Sequence, residues 1–225
     1  MTRREVRRRI TDLFRRHMTA PASTSFDILP RALTSGKVYE AYVLALVSRE
    51  LVNSEGYQLR LVNSDFLPLQ STPLPIDRRR PRVELRTSMG CVAEMWTDIE
   101  FLSLSYSMRG LTSLAPGRGE YHELDIAVVD PGLSGRPAHD RIWLAAECKN
   151  TGYHKGLLKE ILGVRRELSL LQDPQRTKFR KWPRDTVPAK PSSCLIVYST
   201  DAGVLQYARP GEVFGIDFRH EEITL

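Results

Sequence analysis

Residues 121–151 of the 225-residue chain, YHELDIAVVDPGLSGRPAHDRIWLAAECKNT, decide the fold. Within this segment, residues 122–130 and 141–149 have the pattern of two β-strands, because each combines a short apolar run with polar ends. The run IWLAA at 142–146 is continuous, which is typical of a strand covered on both faces. We therefore expect the two segments to be neighbouring strands at the centre of a β-sheet.

Charged side chains stand at the polar ends of both strands. Because side chains alternate across a strand, Glu147 and Lys149 share one face, about 7 Å apart along the backbone. Glu123 and Asp125 share a face by the same rule. If the strands pair, a carboxylate from each lies beside Lys149, and such charges are costly to desolvate unless they bind a ligand. Mg²⁺ takes one or two carboxylates together with waters and substrate phosphates, so the pattern predicts a site for Mg²⁺ or Mn²⁺.

The triplet Glu147-Cys148-Lys149 is the only Asp/Glu-x-Lys triplet in the sequence, and Asp125 lies on the strand before it. This arrangement resembles the PD-(D/E)xK, or restriction-endonuclease-like, nuclease superfamily. In that family an Asp closes one strand and Glu-x-Lys closes the next, after a helix that often supplies another Glu. The resemblance covers residues 37–200 in order and spacing. Leu124 stands where the family name has a proline.

The resemblance assigns roles to individual residues. It implies that Asp125, Glu147 and Lys149 are catalytic, with Lys149 orienting or deprotonating the attacking water. The implied metal ligands are Asp125, Glu147, the carbonyl of Cys148, and, for a second ion, Glu40 and Glu123. The residues alone leave an alternative open, namely a salt-bridged strand end in which Lys149 pairs with Asp125 or Glu147.

The predicted fold class is α/β. It comprises a restriction-endonuclease-like core with a central mixed β-sheet flanked by helices, plus an N-terminal basic helix. Helices are expected over 3–18, 37–53 and 155–171. Extended segments are expected over 57–62, 83–88, 92–108, 194–198 and 213–218, and a basic loop over 178–190. We divide the chain into a basic helix with its linker at 1–30 and a nuclease domain at 31–225.

The net charge of +6 is unevenly distributed. Residues 1–20 contain seven arginines and two acidic residues, a net +5, which leaves +1 for the rest of the chain. A basic face of this kind attracts phosphate backbones without choosing a sequence. Trp182 is expected either to stack on a base or to fill the core. The candidate nucleic-acid contacts are Arg7, Arg8, Arg9, Lys155 and Lys159. A solvated helix face in an arginine-rich chain is the alternative.

The spacing of the cysteines and the hydropathy of the sequence indicate where in the cell the protein is expected. Cys91, Cys148 and Cys194 are widely spaced and form no C-x-x-C pair, so reduced thiols are expected. Cys148 should point into the core, away from the Glu147 and Lys149 face. No run reaches the ~18 apolar residues that span a bilayer, and no signal segment opens the chain. We therefore expect a cytoplasmic protein without membrane contact.

The resemblance implies metal-dependent hydrolysis of nucleic-acid phosphodiester bonds, with DNA as the expected substrate. The family's exonuclease branch often carries Gln-x-x-x-Tyr after the core motif, and neither Gln172 nor Gln175 begins one, which favours an endonuclease. Because bacterial restriction and phage-defence systems use this superfamily, control by a protein partner, an effector or a homo-oligomer is one expectation. The alternative is a nucleic-acid-binding or assembly subunit that keeps the fold without cleaving.

Overall fold

The computed structural model describes residues 3–19, 29, 33–64, 69, 72–110 and 115–223. The helices among them are α1 (Arg3–His17), α2 (Ser35–Asn53), α3 (Leu104–Met108), α4 (Lys155–Leu168) and α5 (Ala208–Val213). The strands are β1 (Met18–Thr19), β2 (Gln58–Val62), β3 (Arg82–Thr87), β4 (Gly90–Leu102), β5 (Tyr121–Val129), β6 (Ile142–Lys149), β7 (Leu170–Arg176), β8 (Thr186–Lys190), β9 (Cys194–Ser199) and β10 (Ile216–His220). Short 3-10 turns lie at His139–Arg141 and Ala202–Tyr207.

The fold is α/β, with helices flanking a central mixed sheet of eight strands in the order β1-β2-β3-β4-β5-β6-β9-β10. Strands β2 to β6 form an antiparallel meander. Strands β6, β9 and β10 are parallel to one another, and β1 is parallel to β2. Strands β7 and β8 form a separate two-stranded sheet. The chain crosses from β6 to its parallel neighbour β9 through α4, the kind of connection that parallel strands require.

Helices α1 and α2 cover one face of the sheet. Val6, Ile10 and Phe14 repeat at helical spacing along α1 and are completely buried, which confirms the predicted amphipathic helix. They belong to one core cluster with α2 and with apolar side chains of β2 to β6. We call this cluster the α2-side core. The N-terminal helix therefore contributes to the same core as the chain that follows residue 30.

Helix α4 and the C-terminal elements cover the other face. Ile161 and Leu168 of α4 are completely buried and pack in a second cluster with Trp96 of β4 and Val197 of β9. Phe218 of β10 belongs to the same cluster, which we call the α4-side core. Within the described ranges, no helix is both long and apolar enough to cross a membrane.

The alternation of side chains is interrupted in the two strands that lead to the predicted site. In β5, Ile126 faces the α2-side core, whereas Leu124, two residues away, faces the α4-side core. In β4, Met95 faces the α2-side core, whereas Ile99 faces the α4-side core. Residues separated by an even number share a face in a regular strand. Each strand therefore changes phase between these positions.

The segment after β4 differs from its prediction. The sequence predicts extended chain over 92–108, but β4 ends at Leu102 and residues 104–108 form α3. Ser103 caps this helix, because its hydroxyl accepts a hydrogen bond from the Tyr106 N–H at 3.2 Å. The alternating pattern LSYSM resembles a strand, yet only Leu104 of these residues is buried. The extended prediction is wrong for residues 104–108.

Helix α4 is shorter than predicted. It ends at Leu168 rather than near Leu171, which lies in β7 and is 56% exposed. Arg165 of α4 is buried, which is unusual for an arginine. Its guanidinium donates to the Ser193 carbonyl at 2.9 Å and to the Ser169 hydroxyl. These hydrogen bonds tie the end of α4 to the residue that precedes β9.

The C-terminal segments also correct the prediction. Strand β8 occupies part of the predicted loop 178–190, and α5 ends at Val213, so the strand expected over 213–218 begins only at Ile216. Trp182 is buried and lies beneath the guanidinium of Arg219, which favours filling of the core over base stacking. The linker predicted up to residue 30 falls outside the described residues except for Leu29.

A carboxylate just beyond α2 anchors the loop before β8. Glu55 accepts three backbone N–H bonds, from Arg180 at 2.7 Å, Lys181 at 2.6 Å and Trp182 at 2.7 Å. Three consecutive N–H groups that converge on one anion form a concave binding site for it. The contact joins residues more than 120 positions apart, so it holds the C-terminal half of the chain against the N-terminal helices.

Replacing Glu55 by Ala should lower the free energy of unfolding by about 1 to 3 kcal/mol, because three backbone donors lose a charged acceptor. Urea denaturation of both proteins measures the difference. Glu212→Ala on α5 is the matched control, since Glu212 is exposed and surface substitutions usually change stability by less than about 0.5 kcal/mol. Equal losses in the two variants would contradict the anchoring role.

Candidate functional site

A carboxylate takes over the hydrogen bonding where β5 and β6 separate. The ladder of paired residues between these strands ends at Ile126 and Ala146. Asp125 immediately precedes Ile126 on β5, and its Oδ2 accepts a hydrogen bond from the Cys148 N–H at 2.7 Å. A side chain thereby satisfies a backbone donor just beyond the ladder. The bond fixes the Asp125 carboxylate beside the Glu-x-Lys triplet.

Glu147 and Lys149 project from β6 towards α4. Glu147 is only 6% exposed. Lys149 Nζ lies 3.1 Å from Glu147 Oε2 and 2.8 Å from Glu160 Oε1, and Glu160 belongs to α4. Cys148 instead packs against the α2-side core, which confirms its predicted direction. Lys149 is therefore held between one buried and one exposed carboxylate.

An open pocket of about 470 Å³ joins these groups at the end of the sheet. The residues that line it are Arg118, Tyr121, His122, Glu123, Asp125, Glu147, Lys149, Glu160 and Val164. The structure thus brings Asp125, Glu147 and Lys149 to one cavity that opens to solvent. The exposed carboxylate of Glu123 stands in the same wall.

A second group of charges adjoins Asp125 from the side of α2. One carboxylate oxygen from each of Glu40, Asp98 and Asp125 lies within 4.8 Å of the other two. Lys37 Nζ lies 2.5 Å from Glu40 Oε2 and 2.5 Å from Asp98 Oδ1. Because Asp125 belongs both to this cluster and to the pocket, it connects the two.

Asp98 has a left-handed backbone conformation, with φ of 51°. The ladder pairs on either side of it place Asp98 opposite Asp125, where the two strands change phase. A non-glycine residue in this region is uncommon and costs about 1 kcal/mol or more, although Asp tolerates it better than most residues. This local distortion brings the Asp98 side chain into the cluster with Asp125.

Burial and mutual repulsion raise the pKa values of the site carboxyl groups. Burial first, and then the charge of Asp125, raise the pKa of Glu147 to about 8. Burial raises the pKa of Asp125 even though the hydrogen bond from Cys148 opposes the shift. Burial raises the pKa of Glu40 to about 7, against the effect of its hydrogen bond from Lys37. The site therefore resists holding all these groups ionised without further positive charge.

For the two lysines of the site, Lys149 and Lys37, the attraction of nearby carboxylates outweighs the effect of burial on the pKa. Burial disfavours the charge on Lys149, but the carboxylates around it, Glu147 foremost, raise its pKa above the ordinary value. Burial acts on Lys37 in the same direction, and hydrogen bonds to Asp98 and Glu40 raise its pKa. Both amines are therefore protonated at neutral pH, as hydrogen-bond donors and fixed positive charges.

The donor set suits a hard divalent cation. Mg²⁺ and Mn²⁺ prefer carboxylate and carbonyl oxygens. Asp125 and Glu147 offer carboxyl groups whose pKa values are raised by burial first and, to a smaller extent, by the charge of neighbouring acids. A cation between them would relieve this repulsion. The residues therefore fit the predicted metal, and the ligand roles of Cys148, Glu40 and Glu123 stay predictions.

The predicted phosphate contacts on α4 lie outside the wall of the pocket. Lys155 and Lys159 are exposed, and neither is among its lining residues, although Glu160 is. Lys155 is the first residue of α4, four residues before Lys159. Their role in nucleic-acid binding stays a prediction.

Two arginines of α1, Arg7 and Arg9, contact other parts of the chain. Arg7 donates to the Leu29 carbonyl at 2.7 Å, and the guanidinium of Arg9 lies 5.7 Å from the centre of the Tyr42 ring. Arg8 is exposed on the outer side of the helix. A nucleic-acid role for Arg7 and Arg8 stays a prediction, and Arg8 is the better placed of the two to contact a phosphate.

Among the Lys, Arg, Asp and Glu residues of the site, four were not predicted from the sequence, namely Lys37, Asp98, Arg118 and Glu160. Asp98 does leave a signal, because an acidic residue interrupts the apolar part of a strand. Lys37 also leaves one, since it precedes Glu40 by three residues, a spacing that brings side chains together on a helix. Arg118 and Glu160 reach the pocket only through the tertiary fold, and nothing local marks them.

Comparisons of the chain with protein-family models, curated proteins and solved structures found no match.

Glu147→Gln should alter the pH dependence of stability. The folded protein holds this proton to about pH 8, whereas an ordinary glutamic acid releases it near 4.5, so the wild type loses stability as pH rises through that window. The variant lacks this loss and should become more stable than the wild type by at least about 1 kcal/mol at the upper end of the window. Denaturant unfolding across the window, in a chelator, measures the difference.

The control for that experiment is Glu160→Gln, which removes the other carboxylate in contact with Lys149. Glu160 is about half exposed, so its substitution should give no comparable trend with pH. A Glu147→Gln difference that stays constant across the window would contradict the raised pKa.

Proposed function

We propose that the protein is a metal-dependent nuclease that hydrolyses phosphodiester bonds of nucleic acid, acting as an endonuclease on DNA. The observation that carries this proposal is the meeting of Asp125, Glu147 and Lys149 in one open pocket at the end of the sheet. The buried Glu147, the half-buried Asp125 and a protonated lysine form a site that attracts a divalent cation and a phosphate together.

The order of the elements supports the same proposal. Helix α2 is followed by the antiparallel strands β4, β5 and β6, and then by α4 and the parallel strand β9. This order is the one expected for a restriction-endonuclease-like core, with Asp125 on the middle strand of the meander and Glu-x-Lys at the end of the next. A restriction-endonuclease-like fold is accordingly part of the proposal.

In the proposed mechanism, Asp125 and Glu147 would hold Mg²⁺ or Mn²⁺, with the Cys148 carbonyl as a further ligand. When bound, the ion polarises a phosphoryl oxygen and lowers the pKa of its water. The hydrogen bond from the Cys148 N–H keeps the Asp125 carboxylate in position before any substrate arrives. Such preorganisation avoids the cost of ordering the group during the reaction.

Lys149 acts as a donor rather than as a base in this mechanism. Its raised pKa keeps the amine protonated at neutral pH, so it donates a hydrogen bond to the attacking water or to a phosphoryl oxygen on which negative charge develops. Glu147 and Glu160 hold Nζ from two sides. Arg118 stands exposed at the same pocket and supplies a further cation for the phosphate backbone.

One observation favours a second candidate, a nucleic-acid-binding or assembly subunit without catalysis. Lys149 already forms ion pairs with two carboxylates of the protein, Glu147 and Glu160, as in a salt-bridged strand end. In that case Lys149 would stabilise the protein and take no part in chemistry. The two candidates differ in what the loss of Lys149 does to cleavage, binding and stability.

Lys149→Ala should lower metal-dependent nicking of a supercoiled plasmid by at least about 10²-fold, because it removes a donor aimed at the developing charge. Nucleic-acid affinity and the unfolding midpoint should change little. Glu147→Ala should lose both cleavage and Mn²⁺ affinity, which separates the role of a ligand from that of a donor. Gel analysis of nicking with Mg²⁺ and with Mn²⁺ provides the measurement.

Lys190→Ala, at an exposed position of β8, is the control and should cleave like the wild type. The enzyme proposal fails if the wild type cleaves neither DNA nor RNA with either ion, alone or with a protein partner. Binding that persists without cleavage would then favour the second candidate.

Replacing Arg8 and Arg16 together by Gln should weaken binding to all DNA sequences alike. Both side chains are exposed on α1, and each lost phosphate contact should reduce the slope of log affinity against log salt by about 1. Fluorescence anisotropy over a salt series measures that slope. Unchanged binding combined with loss of a co-purifying protein would instead identify α1 as a docking helix.

A further inference from the structure

Lys37 lies where a second cation would be expected in the acidic cluster. Its Nζ is 2.5 Å from a carboxylate oxygen of Glu40 and 2.5 Å from one of Asp98. The side chain is 17% exposed, that of Glu40 14% and that of Asp98 2%. The ammonium group is therefore largely withdrawn from solvent and bound on two sides by carboxylates.

The start of α2 holds Lys37 in this place. Thr34 caps the helix, and its hydroxyl accepts a hydrogen bond from the Lys37 N–H at 3.3 Å. Lys37 and Glu40 are three residues apart, so their side chains lie on one face of the first turn. The partner across the cluster, Asp98, is delivered by β4 through its left-handed backbone. Local structure on both sides thus fixes the ion pair.

While the Lys37 amine is present, the cluster of Glu40, Asp98 and Asp125 should not bind a metal ion. Glu40 and Asp98 already have a positive charge in hydrogen-bond contact, and a divalent ion between the same oxygens would be repelled by it at short range. Asp125 differs, since it receives a hydrogen bond from the Cys148 N–H and lines the pocket with Glu147. A bound cation is therefore expected on the side of Asp125 that faces the pocket.

We infer that Lys37 is a built-in cation that takes the place of a second metal ion. The site then binds one divalent ion, at Asp125 and Glu147, while Glu40 and Asp98 hold Lys37 rather than metal. The inference rests on the proposed function, because it concerns the same site. It changes the predicted role of Glu40 from metal ligand to anchor of an ammonium group, and it explains why an acidic residue stands within an apolar strand at Asp98.

The test counts Mn²⁺ ions by electron paramagnetic resonance during titration of the folded chain. The wild type should bind one ion per chain. Lys37→Met keeps the length of the side chain but removes its charge, so the two carboxylates in contact with it, Glu40 and Asp98, lose their ammonium partner and a second ion should bind. Lys190→Met, at an exposed position of β8, should remain at one.

Each result bears on a different statement. Two ions in the wild type, or one ion in Lys37→Met, overturn the inference and leave the nuclease proposal standing; the second of these results would make Lys37 a structural ion pair. A wild type that binds no Mn²⁺ overturns the metal-dependent function itself. The count requires no cleavage, so it does not depend on finding the right substrate.

Asp98→Asn provides a second variant in case Lys37→Met does not fold. In the otherwise wild-type chain it should leave one bound ion, because Asp98 is not a ligand of that ion. Loss of the single ion would overturn the inference. In the Lys37→Met background the same substitution should return the count from two to one, since it removes a carboxylate of the newly opened site.

Discussion

The hydrogen bond from the Cys148 N–H to the Asp125 carboxylate is the constraint on which the site depends. It forms where the backbone ladder between β5 and β6 ends, so a side chain takes up a donor just beyond the last strand pair. The two strands can then separate without leaving a buried N–H group unsatisfied. Their separation opens the pocket in which Glu147 and Lys149 stand. Removing that carboxylate would cost a backbone hydrogen bond as well as a site residue.

The sheet is irregular next to this hydrogen bond. Strands β4 and β5 change phase at Asp98 and Asp125, which face each other across the ladder. On either side of this point the apolar residues return to regular alternation, so the distortion costs little of the core. Local irregularities of this kind are common beside functional sites, because they re-aim side chains that a regular strand would send elsewhere. Here they bring Asp98 from β4 and Asp125 from β5 close to Glu40, near the start of α2.

The sequence was sufficient for the parts of the site that depend on local order. Strands β5 and β6 and helix α2 lie within two residues of their predicted limits, because long apolar runs and amphipathic patterns leave few alternatives. Asp98 could not be placed in the site, since its position depends on one left-handed residue that strict alternation does not foresee. The helix at 104–108 was missed because the cap at Ser103 outweighed an alternating pattern. The burial of Arg165 leaves no local signal, because its partner Ser193 lies 28 residues further along the chain.

The balance of charge distinguishes this site from another buried acid in the same sheet. Glu94 is 2% exposed, yet Arg78 and Arg82 contact it, and they hold its pKa below the ordinary value despite its burial. Such an acid is compensated by arginines of its own chain. Asp125 and Glu147 are also withdrawn from solvent, but their pKa values stay raised although Lys149 is close by. Burial of acids that neighbouring positive charge does not offset is costly in a purely structural network. The difference between the two acidic sites is the physical reason to expect a ligand cation at one and not at the other.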